Sequence, residues 1–419
     1  MLLCNAGYYG TLAAVRSLGR AGVPIVTVDP SILAPGRYSR YSTSHLSCPP
    51  YDQTDAWTDW LMRLGQSGPR RAIYATSDAT SFALARHRDA LACAFHLYQP
   101  DLATMMCMLD KGQLLDHARA VGIDTPDTWL PTSRRDAERI AREVGGAILV
   151  KPRSQLAVKT QMKGAVAGRG ADAVLAAFDH FVAQGTHDTP FAREHPDVMV
   201  PMLQRYHPEA METIYSLSGF RDISGRHVAM LGARKVLQRP RRLGVGLCFE
   251  EAEVDPDIAA RAVRLCERIG YYGAFELEFI HSADKALLID FNGRFYNQLV
   301  FDTARGLDLP GLVYAAAIGD VGQVERLTSA VPPQGERPSL AFCNGFGFAM
   351  TIRAQRAFGT MSKQEVARWR DWLKVPGRKV IDAVHDAGDP LPSAIDVAQQ
   401  LLQCMRHPRA FLTQAGLAR

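Results

Sequence analysis

FELEFIHSADKALLIDFNGRFYNQL, residues 275–299, is the stretch whose reading decides the fold. It reads as two short apolar strands with acids planted among the hydrophobes. In the first, Ala274-Phe275-Glu276-Leu277-Glu278-Phe279-Ile280, carboxylates alternate with large apolar residues. The second, Ala286-Leu287-Leu288-Ile289-Asp290-Phe291-Asn292, ends in an acid and an amide two residues apart. Side chains at i and i+2 of a strand share a face, so Asp290, Asn292 and Arg294 can project into one site if the extended geometry runs that far. A hairpin through residues 281–285 would set Glu278 on the neighbouring strand, near Asp290. Two carboxylates and an amide oxygen form a hard oxygen cluster. With positions left open for phosphate oxygens, such a cluster suits Mg²⁺. Arg294 suits phosphate or carboxylate rather than metal. An ordinary amphipathic hairpin with a solvated polar face would explain one acidic strand alone. The paired acids, the Asn at i+2 and the Arg at i+4 weigh against it.

The rest of the chain bounds the class. Its 419 residues can bury a large core and predict two or three domains. With 47% hydrophobic and 22% charged residues it reads as a soluble globular protein. No apolar run approaches the ~18 residues of a membrane span, and Met1-Leu2-Leu3-Cys4-Asn5-Ala6-Gly7 lacks the basic and apolar regions of a signal peptide. Eight scattered cysteines without a CxxC pair argue against zinc and suit a reducing, cytoplasmic setting. The net charge of +5 is modest. Arg239-Pro240-Arg241-Arg242 could favour anionic ligands but, without interleaved aromatics, predicts no nucleic-acid partner.

Residues 1–105 alternate strand and helix signals. Strands at Leu2-Leu3-Cys4, 25–28 and 72–75, the last running into Thr76-Ser77-Asp78, with helices at 11–20 and after Asp78 to about Arg88, predict a βαβ arrangement and a parallel sheet. Ligands of such sheets bind at the carboxyl ends of the strands, here Asn5-Ala6-Gly7, Asp29-Pro30 and Ser77-Asp78. Gly7-Tyr8-Tyr9-Gly10 is not a GxGxxG motif and does not predict NAD binding. Asp29 and Asp78 are also ordinary cap or turn residues.

From Leu109 the pattern changes. Asp110-Lys111 opens a helix that stops at Gly122, Thr125-Pro126 breaks the chain, and a second helix runs over 134–144. Ala147-Ile148-Leu149-Val150-Lys151-Pro152 follows as an apolar strand with a lysine at its exit. Alone, that lysine is an exposed strand end. The next loop, 154–164, is nearly free of glycine but carries Lys159 and Lys163. It reads equally as a lid over phosphates or as a surface hairpin. The segment 198–206 is a strand leading into a linker, and 258–269 is an amphipathic helix running into the hairpin. Beyond a Pro-rich linker at 331–338, helical segments at 363–373 and 394–405 predict a mainly helical tail, with Trp369 and Trp372 as packing residues.

Glu278 followed by Asp290-Phe291-Asn292-Gly293-Arg294 resembles the metal-binding end of the ATP-grasp superfamily, whose pattern is a Glu on one strand and Glu-Ile-Asn-Pro-Arg on the next. Asp290 and Gly293 depart from the usual Glu and Pro. The resemblance spans about 1–325 and implies an α/β architecture: a pre-ATP-grasp Rossmann-like domain over 1–105, a two-subdomain α+β ATP-grasp domain over 106–328 with a lid at about 130–205, and a helical extension over 329–419. It implies Mg²⁺, or Mn²⁺ in its place, on Glu278, Asp290 and Asn292. Lys111, Lys151 and Lys163 would lie on ATP phosphates, and Gln204 and Tyr206 by the adenine. Glu212 is the candidate for the ribose hydroxyls. Ala233-Arg234-Lys235-Val236-Leu237-Gln238-Arg239-Pro240 resembles a "Lys-x-x-Gln-x-Pro" segment of carboxylate–amine ligases. Strand alternation turns either Arg234 or Lys235 inward, and Lys235 is the choice here, with Arg294, for the reacting phosphate. The activity implied is ATP-dependent amide formation through an acyl phosphate, on an amino acid or small peptide and an amine, by a possible homodimer. An ATP-grasp enzyme of another outcome, phosphotransferase or carboxylase-type, and a non-catalytic ATP-binding protein are the alternatives.

Overall fold

The computed structural model describes residues 1–159, 163–168, 170–282, 284–333 and 339–406. The first sheet is wholly parallel and runs β3-β2-β1-β4-β5, with β1 Leu2–Leu3, β2 Val26–Val28, β3 Ser44–Leu46, β4 Arg71–Ile73 and β5 Phe95–Leu97. Leu2, Leu3, Val28 and Ile73 are buried on both sides by crossover helices, as continuous apolar runs in parallel strands require. The helix Tyr9–Arg20 follows β1 and Asp78–Arg86 follows β4. Ser77 caps the latter, its hydroxyl accepting from the Thr80 N–H. Asn5 takes φ 51°, a left-handed conformation that Asn tolerates better than most residues. Its side-chain oxygen accepts from the Thr76 and Ser77 hydroxyls at 2.7 and 3.1 Å, so two strand ends are tied together.

Gly10 has a packing reason. A Cβ there would fall 2.3 Å from the carbonyl oxygen of Tyr296, just past the 275–292 hairpin. Only glycine lets the first helix lie against that backbone.

A four-stranded antiparallel sheet, β6-β9-β7-β8, is built from β6 Thr128–Trp129, β7 Ile148–Lys151, β8 Ala165–Val166 and β9 Met202–Arg205. Helices Arg134–Glu143 and Ala171–Ala183 cover one side of it, with Ile140, Val174, Phe178 and Phe181 in its core. Of the loop expected over 154–164, residues 160–162 lie outside the described residues.

The largest sheet has seven strands in the order β14-β13-β10-β11-β12-β15-β16. They are β10 Ile214–Arg221, β11 Val228–Arg239, β12 Val245–Ala252, β13 Gly273–Ser282, β14 Lys285–Asn292, β15 Leu340–Cys343 and β16 Lys379–Asp382. All neighbours are antiparallel except β15 and β16. The period of two splits β13 cleanly: Phe275, Leu277 and Phe279 join Leu265 and Leu114 in one core, while Glu276 and Glu278 turn to the opposite face. On that face the first helix and the helix Leu309–Ile318 pack through Ala14, Leu18, Leu312 and Val313.

The segment after 328 is not only helical. Helices Gly345–Ala357, Lys363–Trp372 and Leu391–Arg406 are joined by β15 and β16, which extend the main sheet. Four-residue strands are too short to print a period, which is why helical spacing dominates the reading of that region. Trp369 packs with Phe348, Leu247 and Ile352, and Trp372 lies against the same cluster. No helix among the described residues is long and apolar enough to cross a membrane.

Candidate active site

The hairpin β13–β14 sets Glu278 directly opposite Asp290 and Glu276 directly opposite Asn292. The register shifts after Glu278, where Phe279 faces Leu288. Such a bulge re-aims side chains beside it. Each acid is met by a lysine from another element. Lys235, on β11 and 5% exposed, reaches Glu278 Oε1 at 2.6 Å. Its neighbour Arg234 points out of the site and pairs with Glu250. Lys111, at the start of the helix Lys111–Ala120, bonds Asp290 Oδ1. That helix is placed by Asp110, which accepts from the Gly112 N–H at 2.9 Å and from Arg153 at 2.9 and 2.5 Å. Arg153 follows β7, so the Asp110–Arg153 pair staples the helix bearing Lys111 to the strand bearing Lys151.

Lys151 ends β7 and is 7% exposed. Its ammonium donates to Gln204 Oε1 at 3.4 Å, and Gln204 donates on to the Thr128 hydroxyl at 2.9 Å. Burial lowers the Lys151 pKa to about 7, helped by Lys111 and Lys163; Asp290 and Glu278 work against it. Burial would raise the Asp290 carboxyl, but Lys111 and Lys163 hold it well below the usual carboxylate range.

Arg294 donates to Asn292 Oδ1 at 2.9 Å and to Asp78 Oδ1 at 2.5 Å. Asp78 belongs to the parallel-sheet unit, so the pair joins two sheets at the site. Burial opposes the charge on both partners. Each nonetheless holds the other ionised, Asp78 lowered and Arg294 raised from their ordinary values.

Glu276 is the residue that the strand alternation names without singling out. It is 2% exposed and accepts from Ser216 at 2.5 Å, from Asn292 at 3.1 Å and from Gln298. Burial, then the nearby Glu278, pushes its carboxyl well above the usual range. Asn292 thus turns its amide to Glu276 and its oxygen to Arg294, an orienting position between the two.

A cavity of about 720 Å³ runs through this region. Lys111, Lys151, Lys163, Gln204, Tyr206 and Lys235 open onto it, as do Glu276, Glu278, Asp290, Asn292 and Arg294. Its size falls in the ~300–1,000 Å³ range of small-molecule sites. Glu212 does not line it. Its side chain is 63% exposed and faces Arg241 at 3.9 Å. His207 and Ala210 line the wall just before it instead. A period-based reading cannot see the one-turn helix Pro208–Met211 that swings Glu212 outward.

Among the described residues no three His, Cys, Asp or Glu side chains converge as a metal cluster by themselves. The donors present are Glu278 and Asp290, opposite in register, with Glu276 one pair along. Mg²⁺ commonly takes one or two carboxylates and completes its shell with phosphate oxygens and water, so this donor set fits it.

No protein-family model matches the chain, and no curated protein sequence matches it. Solved structures do. The biotin carboxylase domain of 2-oxoglutarate carboxylase from Hydrogenobacter thermophilus, solved with MgADP, ADP and bicarbonate, has a TM-score of 0.60 at 16% identity, over 76% of this chain and 69% of that one. Biotin carboxylase from Campylobacter jejuni scores 0.57 at 15% identity, over 80% and 72%. N5-carboxyaminoimidazole ribonucleotide synthetase from Thermus thermophilus scores 0.57 at 17% identity, over 76% and 78%. With these likenesses and the sheet arrangement above, the fold of this chain is the ATP-grasp fold.

Proposed function

We propose that the chain is an ATP-dependent carboxylate–amine ligase that activates its acid as an acyl phosphate. One observation carries the reading: Glu278 and Asp290 face each other in register, each met by a lysine, on the wall of one large cavity. In this reading Lys111, Lys151 and Lys163 hold the triphosphate oxygens, and Gln204 and Tyr206 flank the base. Mg²⁺ on Glu278, Asp290 and Asn292 would neutralise charge on the phosphates. Lys235 and Arg294 face the transferred group. The substrate carboxylate oxygen attacks the γ-phosphorus and the bond to ADP breaks. The amine nitrogen then attacks the acyl carbon, the carbon–oxygen bond to phosphate breaks, and the amine proton passes to solvent. Side chains here position reactants and balance charge, which is where phosphoryl-transfer enzymes gain their rate. No side-chain nucleophile is needed. Amino acids and small peptides are the substrates we would try first.

One observation favours a second reading. The Hydrogenobacter domain was solved with bicarbonate. If bicarbonate were the acid here, the amine would be carboxylated rather than acylated.

ADP release from Mg-ATP, with pooled carboxylic acids, amino acids or bicarbonate, separates these outcomes when products are weighed by mass spectrometry. Acid- and amine-dependent ADP with a new amide mass, lost in Asp290→Ala, is expected. Bicarbonate-dependent ADP alone would move the reaction to a carboxylase. Phosphorylated product without amide would make it a kinase.

A further inference from the structure

The cavity has a second end, away from the acids and lysines of the hairpin, and its roof is the helix Leu391–Arg406. Asp396, Gln399, Gln400 and Gln403 of this helix open into the cavity. Their spacing of three, four and seven residues is one helical face. An ordinary amphipathic helix turns an apolar stripe inward. This one lines the cavity with a carboxylate and three amides, Asp396 buried and Gln403 at the exposed rim, while Leu401 and Met405 are 46% and 70% exposed.

The opposite wall carries a cation. Arg239 ends β11, four residues beyond Lys235, with two register shifts between them. It lines the cavity, and its guanidinium, among the described residues, makes no side-chain hydrogen bond or ion pair. Asp396 is close enough for its charge to act on Arg239, yet its oxygens are taken by neutral donors, the Tyr9 hydroxyl at 3.3 Å and the Gln400 amide at 2.6 Å. A cation and an anion thus face one cavity without pairing directly with each other.

The start of the roof is tied to the parallel-sheet unit. Just before it, Asp389 accepts from Arg16 at 2.9 Å, from Ser39 at 2.7 Å and from the Arg40 N–H at 2.9 Å. Arg16 also donates to the Asp389 carbonyl at 2.9 Å.

We propose that this end is a recognition site for an α-amino-acid head group, its carboxylate on Arg239 and its ammonium on Asp396, with Gln400 and Gln403 fixing its orientation. The site would hold one substrate by the end remote from the hairpin. This rests on the ligase reading for its role in turnover but not for binding itself.

The test is thermal stabilisation of the full chain, with and without a non-hydrolysable Mg-ATP analogue, by a panel of L- and D-α-amino acids and, in parallel, their α-carboxamides. At least one free amino acid should stabilise the protein and its carboxamide should not. Asp396→Asn, which keeps the size and one acceptor oxygen but removes the charge, should weaken that binding by about tenfold or more, as should Arg239→Gln. The site is refuted if no amino acid stabilises the protein. It is refuted equally if carboxamides bind as well as acids, or if Asp396→Asn and Arg239→Gln both bind like the parent. Nucleotide stabilisation without any amino-acid binding would sink the head-group site and leave the ligase reading standing. Amino-acid binding with no nucleotide stabilisation would do the reverse.

Discussion

Asp290 and Lys151 are the side chains whose chemistry is most exposed to test. Lys111 and Lys163 keep Asp290 ionised against its burial, so a neutral residue there removes the charge that the cations gather around. Asp290→Asn should lower kcat/KM by roughly 10²–10³-fold, with the fold intact by circular dichroism. An unaffected rate would place the chemistry elsewhere. Lys151 gives a pH signature. Its pKa of about 7 lets it lose its proton near neutrality, and a bound phosphate favours the charged form. Nucleotide binding therefore takes up a proton, and affinity should fall as pH rises through about 7, by up to about tenfold per unit. Lys151→Arg stays charged throughout, so its affinity should fall less steeply; parallel curves would refute the assignment. Glu278 and Asp290 are legible in sequence because strand alternation and the hairpin register act on a few adjacent residues. Glu276 obeys the same alternation. Its role depends on Ser216 and Gln298, which come from other parts of the chain, and no local pattern announces that.

At the scale of elements, the interfaces around the site rest on single residues. Gly10→Ala would drive a methyl into the Tyr296 backbone and push the first helix off the loop that carries Arg294. A cost of about 1–3 kcal/mol is expected, read from denaturant midpoints, with activity falling further than stability. The Arg16–Asp389 pair is buried on both sides, at 3% and 2% exposure. Asp389→Asn would leave an uncompensated guanidinium inside, at about 3–5 kcal/mol. It should also loosen the roof helix, so that limited proteolysis cuts near 391–406 first. Uniform cleavage along the chain would show that this pair does not hold the roof. The parallel sheet and the hairpin are readable because their strands alternate with helices or with acids. β12, β15 and β16 are harder to see: their burial comes from neighbouring strands far away in sequence.

Across the whole molecule, the Asp78–Arg294 pair links the parallel sheet to the hairpin, and the Asp110–Arg153 staple links the small sheet to the helix behind it. All three sheets therefore contribute to one cavity. A ligand that bridges them should stabilise the chain as a unit. At about a hundredfold its Kd, Mg-ATP should add about 2.7 kcal/mol to unfolding. Hydrogen exchange should slow in β7 and β9 as well as in β13 and β14. Protection confined to the hairpin would show that the small sheet does not take part. Domain boundaries are only partly legible, because strands from residues 340–382 belong to the sheet of the hairpin.

That interleaving has a consequence for synthesis. A ribosome delivers the hairpin carboxylates and the lysines around them well before residues 340–406, and N-terminal units fold first as a chain emerges. β15, β16 and the roof then dock onto a sheet already present. Until they do, the nascent protein has its acids and lysines in place but one wall of its cavity missing, so the site closes only after translation has passed Arg406.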